Sequence, residues 1–357
     1  MITANVFTAI GGFLGSVWPY LVAVLLFLVM IFIHEFGHFI AAKLMGVKVN
    51  EFAIGFGPAL FKKQGKETLY AVRAVPFGGF CAMEGEDDES DNDRAFCNKP
   101  AWRRFIIIIA GAFMNLVLGL LIVMIVMSPL VYDGSRYRTT QIHSFPEGSV
   151  SADSGLEAGD KILSVNGRRV YTNMELNYCL TNVKDNYLDL EVVRNGKKTD
   201  TRYTFPTETI DGINYVKADF YVVGEPITVG SYLKHSFKNT VAYGRVVWFS
   251  LVDLVTGKFG ISEVSGPVGV TEAIGGAAKM GLANLLPMIA LITINLGIFN
   301  LLPIPALDGG RAFFLLVEMI IRRPIPKKFE AAVHAVGLVI LLGFIAVITI
   351  KDVVGLF

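Results

Sequence analysis

The sequence predicts a polytopic α-helical membrane protein with about four transmembrane helices, and three observations carry that prediction. Of 357 residues, 53% are hydrophobic and only 18% charged, where soluble domains hold about a quarter charged; the mean hydropathy is +0.53. Four runs are apolar over the length a bilayer requires. Ionisable residues sit near the end of the first run, and a hydrophobic segment holds such groups only at a cost that marks function.

The first run spans about Trp18 to Leu44 and opens with the interfacial anchors Trp18 and Tyr20. The first Lys or Arg is Lys43, so the positive leading region of a signal peptide is missing and the run is expected to be retained. It contains His34-Glu35-Phe36-Gly37-His38. On a helix this HExxH pattern sets two imidazoles one turn apart on one face, where both can ligate a single Zn²⁺, with Glu35 between them as general base. The plainer reading is two histidines and a glutamate satisfied by hydrogen bonds between packed helices.

After the first run, Val49 to Phe56 and Thr68 to Pro76 read as two strands around the turn-prone Lys62-Lys63-Gln64-Gly65-Lys66. Such a hairpin either offers an edge strand to an extended substrate or simply stabilises the fold. The acidic run Glu84 to Asp93 reads most simply as a solvated loop; the alternative is that its acidic groups help a partner dock. The second apolar run covers about Phe105 to Leu130. The third covers about Leu285 to Leu302 and precedes Pro303-Ile304-Pro305; the fourth covers about Ala331 to Ile350. Between the second and third, Gly230 to Gly257 shows apolar residues at helical spacing. It is expected either to lie on the outer membrane surface as an amphipathic helix or to pack beneath the middle domain.

Basic residues set the expected orientation. They are dense from Lys43 to Arg104 and recur at Arg311, Arg322, Arg323, Lys327 and Lys328. Both loops are therefore expected to be cytoplasmic, with the two termini and the long middle region outside. The first and third helices then run in the same direction. His34 lies sixteen residues past Trp18, roughly 24 Å along a helix, and Asp308 lies a similar distance past the start of the third run. Both fall in the cytoplasmic third of the bilayer. A carboxylate at that depth completes a His₂-carboxylate ligand set; its alternative is a helix-capping aspartate. The prolines and paired glycines around Asp308 imply irregular backbone, which a membrane tolerates where it lines a wet cavity.

Other classes are excluded or reduced. A net charge of +1 without a basic block leaves no signature for nucleic acid. Cys81, Cys97 and Cys179 are too far apart for a zinc knuckle and odd in number for a disulfide framework. His143, His235 and His334 lack ligand spacing and read as structural or surface residues.

Taken in order, HEFGH, Ile54-Gly55-Phe56-Gly57-Pro58, Val75-Pro76-Phe77-Gly78-Gly79-Phe80, Ala95-Phe96-Cys97-Asn98-Lys99-Pro100, Ala110-Gly111 with Asn115, Gly266-Pro267-Val268-Gly269 and Asn300-Leu301-Leu302-Pro303-Ile304-Pro305-Ala306-Leu307-Asp308-Gly309-Gly310 resemble the site-2 protease family, peptidase family M50B. The resemblance implies an intramembrane zinc endopeptidase. Its ligands would be His34, His38 and Asp308, its base Glu35, and its substrates single-pass membrane proteins such as anti-sigma factors or remnant signal peptides, already trimmed by another protease. It further implies that the hairpin is membrane-associated and holds substrate, with Gly55, Phe56, Gly57 and Asn300 as substrate-binding residues; the alternative for Asn300 is local capping of a broken helix. Ile142 to Val150 and Gly155 to Gly167 resemble an extracytoplasmic PDZ domain, placed at about Tyr137 to Thr204 and followed by a linker to residue 284. That domain would bind a trimmed chain end or act as a size filter. Some members carry two tandem PDZ domains; this chain has room for one. It also has Ala112 where members commonly place proline after the glycine. The second function class is a non-catalytic scaffold or metal transporter using the same His and Asp ligands.

Overall fold

The computed structural model describes residues 2–86, 88–132, 134–180, 186–210, 213–258, 260 and 264–355. The chain divides into two compact units, Met1–Ile122 with Asp253–Phe357, and Val123–Val252.

The first unit opens with α1 (Ile2–Leu44). The helix stops at a Schellman motif: Gly46 takes φ +74°, its N–H bonds the Lys43 carbonyl, and the Val47 N–H bonds that of Ala42. Glycine adopts this left-handed conformation without a Cβ penalty. The chain passes from there into β1 (Val49–Gln64), which pairs antiparallel with β2 (Leu69–Met83).

The reversal falls at Gly65–Thr68, where the Gly65 N–H bonds the Thr68 carbonyl at 2.9 Å, later than the turn expected at residues 62–66. Lys62 and Lys63 are strand residues opposite Ala71 and Tyr70; charge is well tolerated on an exposed edge. Both strands are longer than predicted and both bend, β1 at Gly55 and Gly57 and β2 at Gly78, all with positive φ. Phe52 consequently stands opposite Cys81 on one side and Tyr70 on the other. The hairpin is in effect a four-stranded layer with Gly79–Met83 along one edge and Ala59–Gln64 along the other.

The acidic run is folded rather than merely solvated. Glu84 accepts hydrogen bonds from Lys48, Asn50 and Ser90, and its carbonyl accepts the Phe96 N–H at 2.7 Å. Phe96 is buried with Ala42, Val47 and Ile107. Asp88, Glu89, Asp91 and Asp93 stay exposed. Next comes α2 (Ala101–Met127).

The second unit carries β3 (Arg136–Ser144), α3 (Val150–Asp153), β4 (Lys161–Val165), β5 (Arg168–Arg169), α4 (Asn173–Cys179), β6 (Tyr187–Arg194) and β7 (Lys197–Thr204). They are followed by β8 (Thr207–Ile210), β9 (Ile213–Val216), β10 (Tyr221–Pro226) and α5 (Val229–Val255). The main sheet runs β10-β3-β4-β6-β7 over a core that includes Ile142, Ile162, Leu176, Leu190 and Phe205. The domain is wider than residues 137–204. Residues 205–226, expected as linker, carry strands, and β10 pairs with β3 from Tyr221 opposite Ser144 to Pro226 opposite Arg136. That pairing is non-local, and β10 is short and ends in Gly-Glu-Pro, so local signals read as a turn. Residues 181–185 lie outside the described residues.

α5 occupies the stretch with helical spacing. Its Arg245 bonds Glu175 on α4, while Leu233, Phe237, Val241 and Trp248 remain exposed. His235 stacks on Tyr137 and bonds Glu225 at 3.0 Å, a structural role.

The chain completes the first unit with α6 (Pro267–Lys279), α7 (Leu282–Phe299), α8 (Asp308–Ile321) and α9 (Lys327–Val354). Four helical stretches, Tyr20–Leu44, α2, α7 and α9, are long and apolar enough to cross a membrane, and they coincide with the four predicted runs. With the β-rich regions they make a polytopic membrane protein.

The short α6 and α8 were not foreseen. Gly266-Pro267-Val268-Gly269 starts α6, with Pro267 in the first turn where its missing N–H costs nothing. Asp352 from α9 caps it, accepting the N–H groups of Gly266 at 2.8 Å and Gly269 at 2.9 Å. Asp352→Ala is expected to lower the thermal midpoint of the detergent-solubilised protein; an unchanged midpoint would remove the cap from the account.

Candidate metal centre

HExxH lies on the part of α1 that faces α2. A Cβ on Gly37 would stand 2.4 Å from the Ala110 carbonyl oxygen, and one on Gly111 would stand 2.3 Å from His38 Nε2. Small residues at this contact let the helices approach and leave the imidazole its space. His34 and His38 bring their Nε2 atoms to 3.2 Å of one another. Asp308 Oδ2 lies 3.0 Å from the first and 3.2 Å from the second.

Three lone-pair atoms thus converge, and among the described residues this is the one His/Cys/Asp/Glu cluster with metal-ligand geometry. Asp308 Oδ2 is buried without a hydrogen bond of good geometry. A tetrahedral Zn²⁺ with bonds of about 2.0–2.1 Å separates its ligand atoms by about 3.3 Å, close to the triangle observed. The donor set fits zinc and leaves a fourth position open.

Both imidazoles are oriented by α2. His38 Nδ1 donates to the Ile107 carbonyl at 2.9 Å, which leaves the Nε2 lone pair for a metal. His34 Nδ1 lies 3.3 Å from the Asn115 side-chain nitrogen, and Asn115 Oδ1 is buried and unpaired. Amide orientation is assigned from the hydrogen-bond network. Turning this amide over lets Oδ1 accept from Nδ1–H, satisfies the buried oxygen and frees His34 Nε2 in the same way. Asn115→Leu is therefore expected to weaken zinc binding by about 10–100-fold in a chelator competition, and Asn115→Asp, which keeps an acceptor, to retain most of it.

Asp308 is delivered by the break between α7 and α8. Leu307, not Asp308, is the N-cap of α8, and the Asp308 carboxylate points to the histidines. The glycines that follow it are required by close approach. A Cβ on Gly309 would lie 2.1 Å from the Leu302 carbonyl oxygen, and one on Gly310 would lie 2.5 Å from that of Ile304.

His34, His38, Asp308 and Glu35 line a cavity of about 640 Å³. Gly79 to Met83 of β2 also line it, and Arg311 adds a cation, paired with Glu86 at 2.5 Å. A Cβ on Gly79 would come within 3.2 Å of Glu35 Cγ, so this glycine gives the glutamate room. The remaining sequence-named residues stand elsewhere. Gly55, Phe56, Gly57 and Asn300 do not line the cavity. Phe56 stacks on Phe80 at 6.3 Å and covers Gly78, so it backs the edge strand, and Asn300 is the C-cap of α7. Gly79 to Met83 escaped the residue-level reading, although Val75 to Phe80 had marked the segment.

The model of Peptidase family M50 matches residues 22–344. A Clostridium perfringens protein named as a zinc metalloprotease is 39% identical over 93% of this chain and 97% of its own length. The zinc metalloprotease RasP of Geobacillus kaustophilus and the regulator of sigma-W protease RasP of Bacillus subtilis are each 28% identical. They cover 92% and 94% of this chain, and 96% and 98% of their own. With the family model matched from the first membrane span into the last, this chain belongs to peptidase family M50, the site-2 proteases, and is a zinc metalloprotease of the membrane.

Proposed function

We propose that the protein is an intramembrane endopeptidase that cuts single-pass membrane proteins after their ectodomains have been trimmed. One observation carries the reading: the edge segment Gly79–Met83, paired with β1 on one side, and the residues His34, Glu35, His38 and Asp308 line one cavity. A transmembrane helix has every peptide group tied up internally, so its scissile bond must first be drawn out. A strand added to this edge would keep its backbone groups paired while presenting the bond to the metal centre.

His34, His38 and Asp308 would hold the zinc. When bound, Zn²⁺ supplies Lewis acidity, polarising a carbonyl and lowering the pKa of water towards about 7. Glu35 takes the proton from the attacking water and returns it to the leaving amine. The Gly79 to Met83 backbone fixes substrate register, and Gly55, Phe56 and Gly57 shape that edge from behind. Asn300 helps set the break that delivers Asp308.

The basic loops favour a cytoplasmic hairpin and a metal centre in the cytoplasmic third of the bilayer, with both termini and the middle domain outside. The motif spacing of Ile142 to Gly167 supports a PDZ domain that receives a trimmed chain end or rejects bulky ectodomains. The name of the Bacillus relative, a regulator of sigma-W protease, supports membrane-bound regulators of sigma factors such as anti-sigma factors as one substrate class; remnant signal peptides are a second. The test is reconstitution with a single-pass reporter and mass mapping of its products. Cuts inside the reporter's transmembrane segment, towards its cytoplasmic end, are expected. Cuts confined to its soluble segments would overturn the reading.

A further inference from the structure

The loop that delivers Asp308 is held from its far side by α9. Within it Ala306 takes φ +74°, a left-handed conformation unfavourable for a residue with a Cβ. Its N–H donates to Nδ1 of His334 on α9 at 2.9 Å. One turn on, a Cβ at Gly337 would stand 2.3 Å from Pro305 Cβ and 3.0 Å from the Pro305 carbonyl oxygen. Gly310 closes on Ile304 from the other side, so residues 304–306 are clamped between the first turn of α8 and α9.

General packing does not explain these contacts. Ile348 is the buried residue of α9, and its large side chains, including Val336, Val339, Ile340 and Leu342, are exposed. A histidine on such an apolar helix is costly and calls for a function. His334 Nε2 is buried without a hydrogen-bond partner, 4.0 Å from Glu330. The imidazole's Nδ1 contact with the Ala306 N–H is thus its organising one.

We propose that His334 is a positioning residue for Asp308: by accepting the Ala306 N–H it holds the left-handed turn two residues before the carboxylate, and Gly337 lets α9 come close enough for it to do so. The inference rests on reading Asp308 as a metal ligand.

The test uses the full-length, detergent-purified protein and two readouts besides activity: zinc affinity by chelator competition, and the visible spectrum of the Co²⁺-loaded protein. His334→Leu and Gly337→Ala are each expected to weaken zinc binding by about tenfold or more and to alter the Co²⁺ spectrum. His334→Asn, whose Oδ1 can replace Nδ1 as acceptor, is expected to restore both. Gly343→Ala is the control on the same helix, because a Cβ there meets nothing within 4 Å, and it should behave as wild type. Asp308→Ala separates the two readings. If it keeps zinc, the ligand assignment fails. If it loses zinc while His334→Leu and Gly337→Ala bind as wild type, the positioning role fails, and failure of His334→Asn to restore binding overturns that role as well.

Discussion

Gly111→Ala is expected to strip zinc from the protein although it removes no ligand. The added methyl group would occupy a point 2.3 Å from His38 Nε2, and the imidazole cannot swing aside without losing its 2.9 Å bond to the Ile107 carbonyl. Either the ring moves off the metal centre or α1 and α2 separate, which also displaces Gly37 from Ala110. Zinc affinity should fall by about 100-fold, with proteolysis falling in parallel. Metal analysis after dialysis against a chelator reads the effect directly, and wild-type zinc content in this variant would show that the helix contact is looser than described.

Glu35→Gln is expected to do the reverse: keep the metal and lose the reaction. The amide preserves the shape of the side chain beside Gly79 but cannot take a proton from water. General-base catalysis is worth about 10²–10⁴-fold, so kcat should drop by that order with zinc content unchanged and KM little altered. Single-turnover cleavage of the reporter, with zinc measured in the same samples, separates the two variants. A Glu35→Gln protein as active as wild type would remove Glu35 from the mechanism.

The parts legible in sequence were those set by local chemistry. HExxH fixes its own geometry through helical periodicity, and Asp308 was within reach because the first and third apolar runs, read as running in the same direction, carry the two motifs to a similar distance along the chain. The Nε2 atoms of His34 and His38 and Oδ2 of Asp308 lie within 3.2 Å of one another. The four spans follow from hydropathy alone. Features decided by distant contacts were less visible. Lys62 and Lys63 looked like turn residues because they sit in a polar run around Gly65, yet pairing with Ala71 and Tyr70 holds them in a strand. β10 is defined by β3, some eighty residues earlier. The cavity wall fell to Gly79–Met83 and not to Gly55–Gly57 because the positive-φ glycines fold the hairpin back on itself, a tertiary outcome that spacing does not reveal. His334 carried no ligand spacing, and its role depends on the backbone conformation of Ala306, which no side-chain motif encodes.

The most direct test of the central claim is a zinc-edge X-ray absorption spectrum of the purified protein, with metal stoichiometry from the same sample. One zinc per chain with only nitrogen and oxygen neighbours at about 2.0–2.2 Å is the predicted result, two of them imidazole, and the signal should be lost in Asp308→Ala. Cys81 lines the same cavity, so a sulfur neighbour at about 2.3 Å would contradict the His34, His38 and Asp308 ligand set.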